Sequence, residues 1–144
     1  YADRGRYVLL GWLVYESGAD NSVEYSTHLL VKFSEMVKGI KKVYGKGRVT
    51  SDLKAIRQDF KSLVEDRAVL KTKDGKLFVI NPMMSYNPEY VSAAQWKEVA
   101  GWWGQVYEGK MGEVEFCDRY REMVGGYMRK KIATFSRPLR NNGK

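Results

Sequence analysis

The stretch RVTSDLKAIRQDFKSLVEDRAVLKTKDGKLFVINP, residues 48–82, changes its hydrophobic period halfway along. In its first part apolar residues recur at the spacing of one helix face, and the helix-capping types Thr50 to Asp52 precede them. Its second part is typical of two short strands, joined by Asp74-Gly75 as a favoured hairpin turn and ended by Pro82, which cannot donate to a ladder. The pattern therefore predicts a helix followed by a two-stranded hairpin. The apolar face of the predicted helix comprises Leu53, Ile56, Phe60, Leu63 and Val64.

The opposite face of this helix is basic, and the hairpin is basic as well. That layout is typical of a winged helix-turn-helix, in which a helix enters the major groove of DNA and the hairpin, or wing, rests on the backbone. The alternative is a surface helix packed on a hairpin, with a solvated Lys/Arg face. Under the first interpretation, the helix residues expected to face the major groove are Ser51, Lys54, Ala55, Arg57, Gln58 and Lys61.

Two of these side chains suit particular bases. Arg57 matches a guanine edge and Gln58 an adenine edge. Phosphate contacts are expected from basic residues at the wing tip and in the turn before the helix. These residues are Lys73 and Lys76 at the tip, and Lys46 and Arg48 in the turn.

The preceding sequence supplies the other elements of such a domain. The apolar run Gly5 to Ser17 is long enough to favour a helix, and Ser22 to Ser26 alternates like a short strand that would complete a sheet with the wing. A second amphipathic helix is predicted over Thr27 to Val43, with Thr27 as its cap. We therefore expect a mainly α fold with a small β-hairpin wing, and a winged-helix domain over residues 1–88.

Residues 89–144 are expected to form a helical extension. Ser92 and Gln95 match a capping box that opens a helix running to about Glu108. A further helix is predicted over Glu113 to Val124, after which Gly125-Gly126 would loosen the chain and Tyr127 to Phe135 could extend the helix as a basic segment. The sequence from 136 to 144 resembles a disordered basic tail, which can add nonspecific phosphate contacts.

Three tryptophans, Trp96, Trp102 and Trp103, fall within eight positions of the first of these helices. They either pack on the core of the protein or form the seam of a homodimer, since buried aromatic side chains anchor interfaces.

The charge balance points to a polyanionic partner. Against 17 acidic residues the chain has 25 Lys and Arg, which gives a formal net charge of +8. Double-stranded DNA is the first expectation and an anionic membrane surface the second. No sequence of about 18 apolar residues predicts a membrane span. The single cysteine, Cys117, excludes an internal disulfide and suits the reducing cytoplasm. The first residue is not Met, which is compatible with a piece of a longer protein.

No catalytic constellation is evident, and we expect neither catalysis nor a cofactor. The single histidine, His28, makes a zinc site improbable, and the sequence has no nucleotide-binding glycine-lysine loop. A cluster of acidic residues could hold Mg²⁺ in a nuclease, although the same spacing is typical of a solvated helix face. The cluster comprises Glu113, Glu115, Asp118 and Glu122.

Residues 48–83, about a quarter of the chain, resemble the wing region of firmicute plasmid replication initiators of the RepL type. The residues that carry the resemblance are Leu63-Val64-Glu65, Ala68-Val69-Leu70-Lys71, Asp74-Gly75-Lys76 and Phe78-Val79-Ile80-Asn81-Pro82. The resemblance implies a non-enzymatic, sequence-specific DNA-binding protein of a plasmid or phage, which binds an origin or operator and recruits a host replication or transcription protein.

Two other functions remain open from the sequence. One is a transcription regulator of the same fold. The other is a protein–protein interaction module that binds a polymerase or replication partner through its basic or Trp-rich face.

Overall fold

A computed structural model of the protein describes the backbone of residues 2–45 and 49–142, and the side chains of residues 5–43, 45 and 49–129. Within these residues the chain is mainly helical, with one small antiparallel sheet, as the sequence predicted. The described elements are α1 (Ala2–Glu16), β1 (Ser22–Glu24), α2 (Thr27–Tyr44), α3 (Leu53–Glu65), β2 (Val69–Lys71), β3 (Leu77–Ile80), α4 (Ala93–Tyr107) and α5 (Glu113–Asn142).

The sheet has β3 at its centre and β1 and β2 at its edges. Val79 of β3 lies opposite Ser22 of β1 on one side and opposite Leu70 of β2 on the other, and both pairings are antiparallel. The predicted hairpin and the predicted addition of a first short strand are therefore confirmed.

One face of the sheet is covered by α1, α2 and α3, and together they form what we call the first core. β2 and β3 contribute Val69, Phe78 and Ile80 to this core. An ion pair of 2.7 Å between Arg6 and Asp66 connects α1 to the residue that follows α3.

The other face of the sheet is covered by α4 and α5, which form the second core. Successive strand residues point to opposite faces, so Leu70 and Val79 turn toward this side. The two strands are thus buried on both faces. The residues that α4 and α5 bury here include Val99, Val106, Phe116, Cys117, Tyr120 and Val124.

The junction between β3 and the following segment is fixed by two buried asparagines. Asn81 donates its side-chain amide to the carbonyl of Arg67 at 2.8 Å, and its oxygen accepts from the amide of Met83. Asn21 donates to the carbonyls of Ile80 and Ser85, at 2.9 and 2.7 Å. Asn81 thus connects the end of β3 to the turn after α3, and Asn21 connects the start of β1 to the end of β3 and to Ser85.

The predicted cap of α2 is wrong by one residue. The hydroxyl of Ser26, not of Thr27, accepts from the amide of Leu29 at 3.1 Å, and Thr27 is the first helical residue. Two adjacent hydroxyl residues offer the same capping chemistry, and the extended backbone of Ser26 decides between them.

The predicted disordered tail is also wrong, because α5 continues through Gly125-Gly126 and the basic segment after them to Asn142. A glycine in a helix interior costs about 1 kcal/mol relative to alanine. Tertiary contacts beyond the glycines offset this cost: the ring of Tyr127 packs edge-on against Tyr90 at 6.0 Å, and Met128 packs against the second core. The last two residues of the predicted tail lie outside the described residues.

Candidate nucleic-acid interface

The first turn of α3 is held in place by side-chain hydrogen bonds. Asp52 is its N-cap and accepts from the amide of Ala55 at 3.2 Å, while Thr50 accepts from the amide of Asp52 at 3.0 Å. The buried hydroxyl of Ser34 on α2 donates to the carbonyl of Ser51 at 2.6 Å. These contacts fix the start of α3 on α2, and they leave Ser51 and Ala55 half-buried.

The outward face of α3 carries Lys54, Arg57, Gln58 and Lys61, and all four side chains are exposed. The opposite face buries Ile56, Phe60 and Leu63 in the first core. Within the described residues none of the three cations on the outward face has an ion-pair partner. The helix therefore presents uncompensated positive charge and one amide side chain on a rigidly anchored surface.

Lys73 and Lys76 are exposed on the turn between β2 and β3. The buried hydroxyl of Thr72 lies 2.7 Å from the carbonyl oxygen of Leu77 and closes this turn from within. The carboxylate of Asp74 accepts from the amide of Lys76 at 2.9 Å. The wing is thus short and internally bonded. Lys46 and Arg48, the other predicted phosphate contacts, lie outside the described residues.

Tyr25, which directly follows β1, connects the wing to α3. Its amide donates to the carbonyl of Lys76 at 2.7 Å, and its ring lies 4.3 Å from the ring of Phe60 on α3. The wing is consequently held beside the middle of α3.

A cavity of about 300 Å³ opens between α3 and the sheet, and we call it the α3–β2 groove. Its floor is apolar and its rim is mainly cationic. The floor consists of Tyr25, Phe60, Val64 and Phe78, and the rim of Arg57, Lys61, Glu65 and Lys71.

Lys71 was not among the residues expected from the sequence to bind DNA. It ends β2, where Val69 faces the first core and Leu70 the second. Strand alternation therefore puts Lys71 on the same face as Val69, toward α3. This alternation could be predicted from the sequence. The groove could not, because it forms only when α3 packs on the sheet.

The three tryptophans of α4 are half-buried and make ring contacts within the chain. Trp96 stacks on Tyr86 with ring centroids 4.6 Å apart, and Trp103 packs edge-on against Phe116 at 5.2 Å. The guanidinium of Arg119 lies 5.8 Å from the centroid of Trp102. The contacts of Trp102 and Trp103 anchor α4 on α5, and that of Trp96 anchors it on the segment before α4. A homodimer through the tryptophans stays a prediction.

Two members of the acidic cluster on α5 form ion pairs with arginines. Glu113 lies 3.9 Å from Arg67, and Glu115 lies 3.3 Å from Arg119 one turn further along α5. Among the described residues, no three His, Cys, Asp or Glu side chains converge as a metal site would require. Burial raises the pKa of the Cys117 thiol to about 12, so this residue is a small apolar core side chain rather than a nucleophile.

A wider cavity of about 510 Å³ lies between the end of α1 and residues 85–90. Tyr15, Tyr86 and Tyr90 line it, with the amide of Asn21 already bonded to two carbonyls. It contains no cationic side chain and no acid, so it lacks the charges that would bind a phosphate or a metal.

None of the helices in the described part of the chain combines the length and apolarity needed to cross a bilayer. Comparisons with protein-family models, with curated proteins and with solved structures found no match to this chain.

Proposed function

We propose that the protein is a winged helix-turn-helix protein that binds double-stranded DNA in a sequence-specific manner and without catalysis. α3 is the helix that enters the major groove, and the hairpin of β2 and β3 is the wing that rests on the backbone.

The observation that carries this proposal is the outward face of α3. Three cations and one glutamine stand exposed there, without ion pairs among the described residues, on a helix fixed by its cap and by its buried face. Surface cations without ion pairs favour binding to a polyanion. Side chains on a helix in the major groove can form hydrogen bonds with base edges. The net charge of +8 supports the same class of partner.

Within this proposal Gln58 reads an adenine, because its amide can donate to and accept from one base edge at once. Lys73 and Lys76 contact phosphates, and with them Lys46 and Arg48 from the turn before α3. The resemblance to RepL-type initiators favours an origin in plasmid or phage replication as the target. An operator in transcription control is the other target of the same chemistry, and a host replication or transcription protein would be recruited in either case.

The test is fluorescence anisotropy of labelled duplex DNA against the protein at several salt concentrations, followed by selection of a preferred site from a random library. We expect the logarithm of the affinity to fall linearly with the logarithm of salt, because each neutralised phosphate releases counterions. Gln58→Ala should reduce discrimination at one base pair by about 1–3 kcal/mol.

Lys76→Ala is the matched comparison, because it removes a phosphate contact and should weaken all sequences alike. Absence of binding by the wild-type protein at low salt would refute the proposal. The protein-interaction module would then be the remaining candidate, and the search would turn to α4 and to protein partners.

A further inference from the structure

The α3–β2 groove combines an aromatic floor with a mainly cationic rim. Its floor is a fixed set of rings, since Phe60 and Phe78 meet edge-on at 5.0 Å and Tyr25 contacts both. Its rim has three exposed cations from two different elements, Arg57 and Lys61 from α3 and Lys71 from β2, against the single carboxylate of Glu65.

This chemistry selects the kind of ligand. An occupant must offer an apolar part to the rings and negative charge to the rim, and it must fit about 300 Å³, at the lower end of ligand-binding cavities. A sugar–phosphate unit meets these conditions, because the carbon atoms of deoxyribose are apolar and each phosphate carries one charge. A nucleic-acid strand also repeats that charge, about every 3.4 Å along the helix axis, which matches a rim with more than one cation.

We infer that the α3–β2 groove holds the backbone of one DNA strand, with Arg57 and Lys71 on phosphate oxygens and the sugar on the aromatic floor. The inference rests on the proposed function and adds to it a binding site that includes Lys71.

The inference also changes the role of Arg57. The sequence suggested that Arg57 reads a guanine, but its side chain lines the groove beside the sheet, whereas Lys54 and Gln58 are not part of the groove. Lys54 and Gln58 therefore contact the base edges, and Arg57 contributes affinity that does not depend on the DNA sequence.

The experiment measures binding of the full chain to two duplexes, the selected site and a shuffled version of it, over a range of salt. Arg57→Gln and Lys71→Gln are compared with Lys97→Gln, which removes an exposed cation from α4, and Lys97 has no ion pair among the described residues. Circular dichroism checks that each variant is folded. A free deoxynucleoside monophosphate serves as a competitor in a further titration.

We expect Arg57→Gln and Lys71→Gln each to reduce by about one the magnitude of the salt slope, which is the slope of log affinity against log salt concentration. Each variant should also bind both duplexes more weakly by the same factor. Lys97→Gln should leave the slope unchanged, and the monophosphate should not displace the duplex.

Three results would overturn the inference while leaving DNA binding intact. The first is a loss of preference at one base pair in Arg57→Gln with the slope unchanged. The second is a Lys71→Gln variant with the same affinity and the same salt slope as Lys97→Gln. The third is displacement of the duplex by the monophosphate with an affinity equal to that of the duplex. Failure of the wild-type protein to bind any duplex would instead remove the proposed function, and the inference with it.

Discussion

Replacing Tyr120 with phenylalanine is expected to stabilise the protein, because the hydroxyl of Tyr120 is buried without a hydrogen-bond partner. The side chain is fully buried on α5 in the second core, and its oxygen has no hydrogen-bond partner in the described part of the chain. Burial raises the pKa of this phenol far above its ordinary value, with a smaller contribution from the negative charge of Asp20.

The magnitude follows from the cost of desolvating a polar group. A buried donor that gains no partner costs about 1–3 kcal/mol, and the Tyr120→Phe change removes that cost while keeping the ring in place. Part of the gain is offset by the small void left by the oxygen, so we expect about 1 kcal/mol of added stability. For a chain of this size that raises the midpoint of thermal unfolding by about 3 °C.

The assay is thermal and urea unfolding followed by circular dichroism, with Tyr107→Phe as the control. Tyr107 is 80% exposed on α4, so the same chemical change there should leave both midpoints unaltered. If Tyr120→Phe instead lowers the stability by about 1 kcal/mol, the hydroxyl makes a hydrogen bond in solution and the reasoning about its burial is wrong.

Two further predictions concern titratable groups. Burial raises the pKa of Asp59, and the guanidinium of Arg6 opposes that shift only in part. The native state therefore loses stability as the pH rises above the ordinary aspartate value, so Asp59→Asn should raise the urea midpoint at pH 7 and lose this advantage in acid. An equal advantage at both pH values would contradict the assignment. The Cys117 thiol, with its pKa raised to about 12 by burial, should not react with a thiol reagent at pH 8 until urea unfolds the chain. Rapid reaction of the native protein would place this residue at the surface.

The elements around α3 could be predicted from the sequence because their signals are local. The cap at Asp52 and the 3.6-residue period up to Val64 each depend on residues a few positions apart. The capping box of Ser92 and Gln95 is present with both of its hydrogen bonds for the same reason. The hairpin was predicted as well, but its two-residue Asp74-Gly75 turn was wrong: residues 72–76 connect β2 to β3, and neither Asp74 nor Gly75 has the positive φ of such a turn.

Features that depend on distant contacts could not be predicted in this way. The sequence left the continuation of α5 beyond Gly125 as one possibility, and packing against Tyr90, which is remote in sequence, favours it. The α3–β2 groove likewise joins Lys71 to Arg57 only once α3 lies across the sheet. Local propensity describes neither, because both are products of tertiary packing.

The burial of β2 and β3 on both faces has an evolutionary consequence. Inserting or deleting one residue in either strand would exchange its inward and outward positions, so that Leu70 would turn to the first core and Val69 to the second. Every side chain of the strand would then meet neighbours of the wrong shape. Related chains should therefore keep the lengths of these strands fixed and vary in length at surface connections such as residues 84–90.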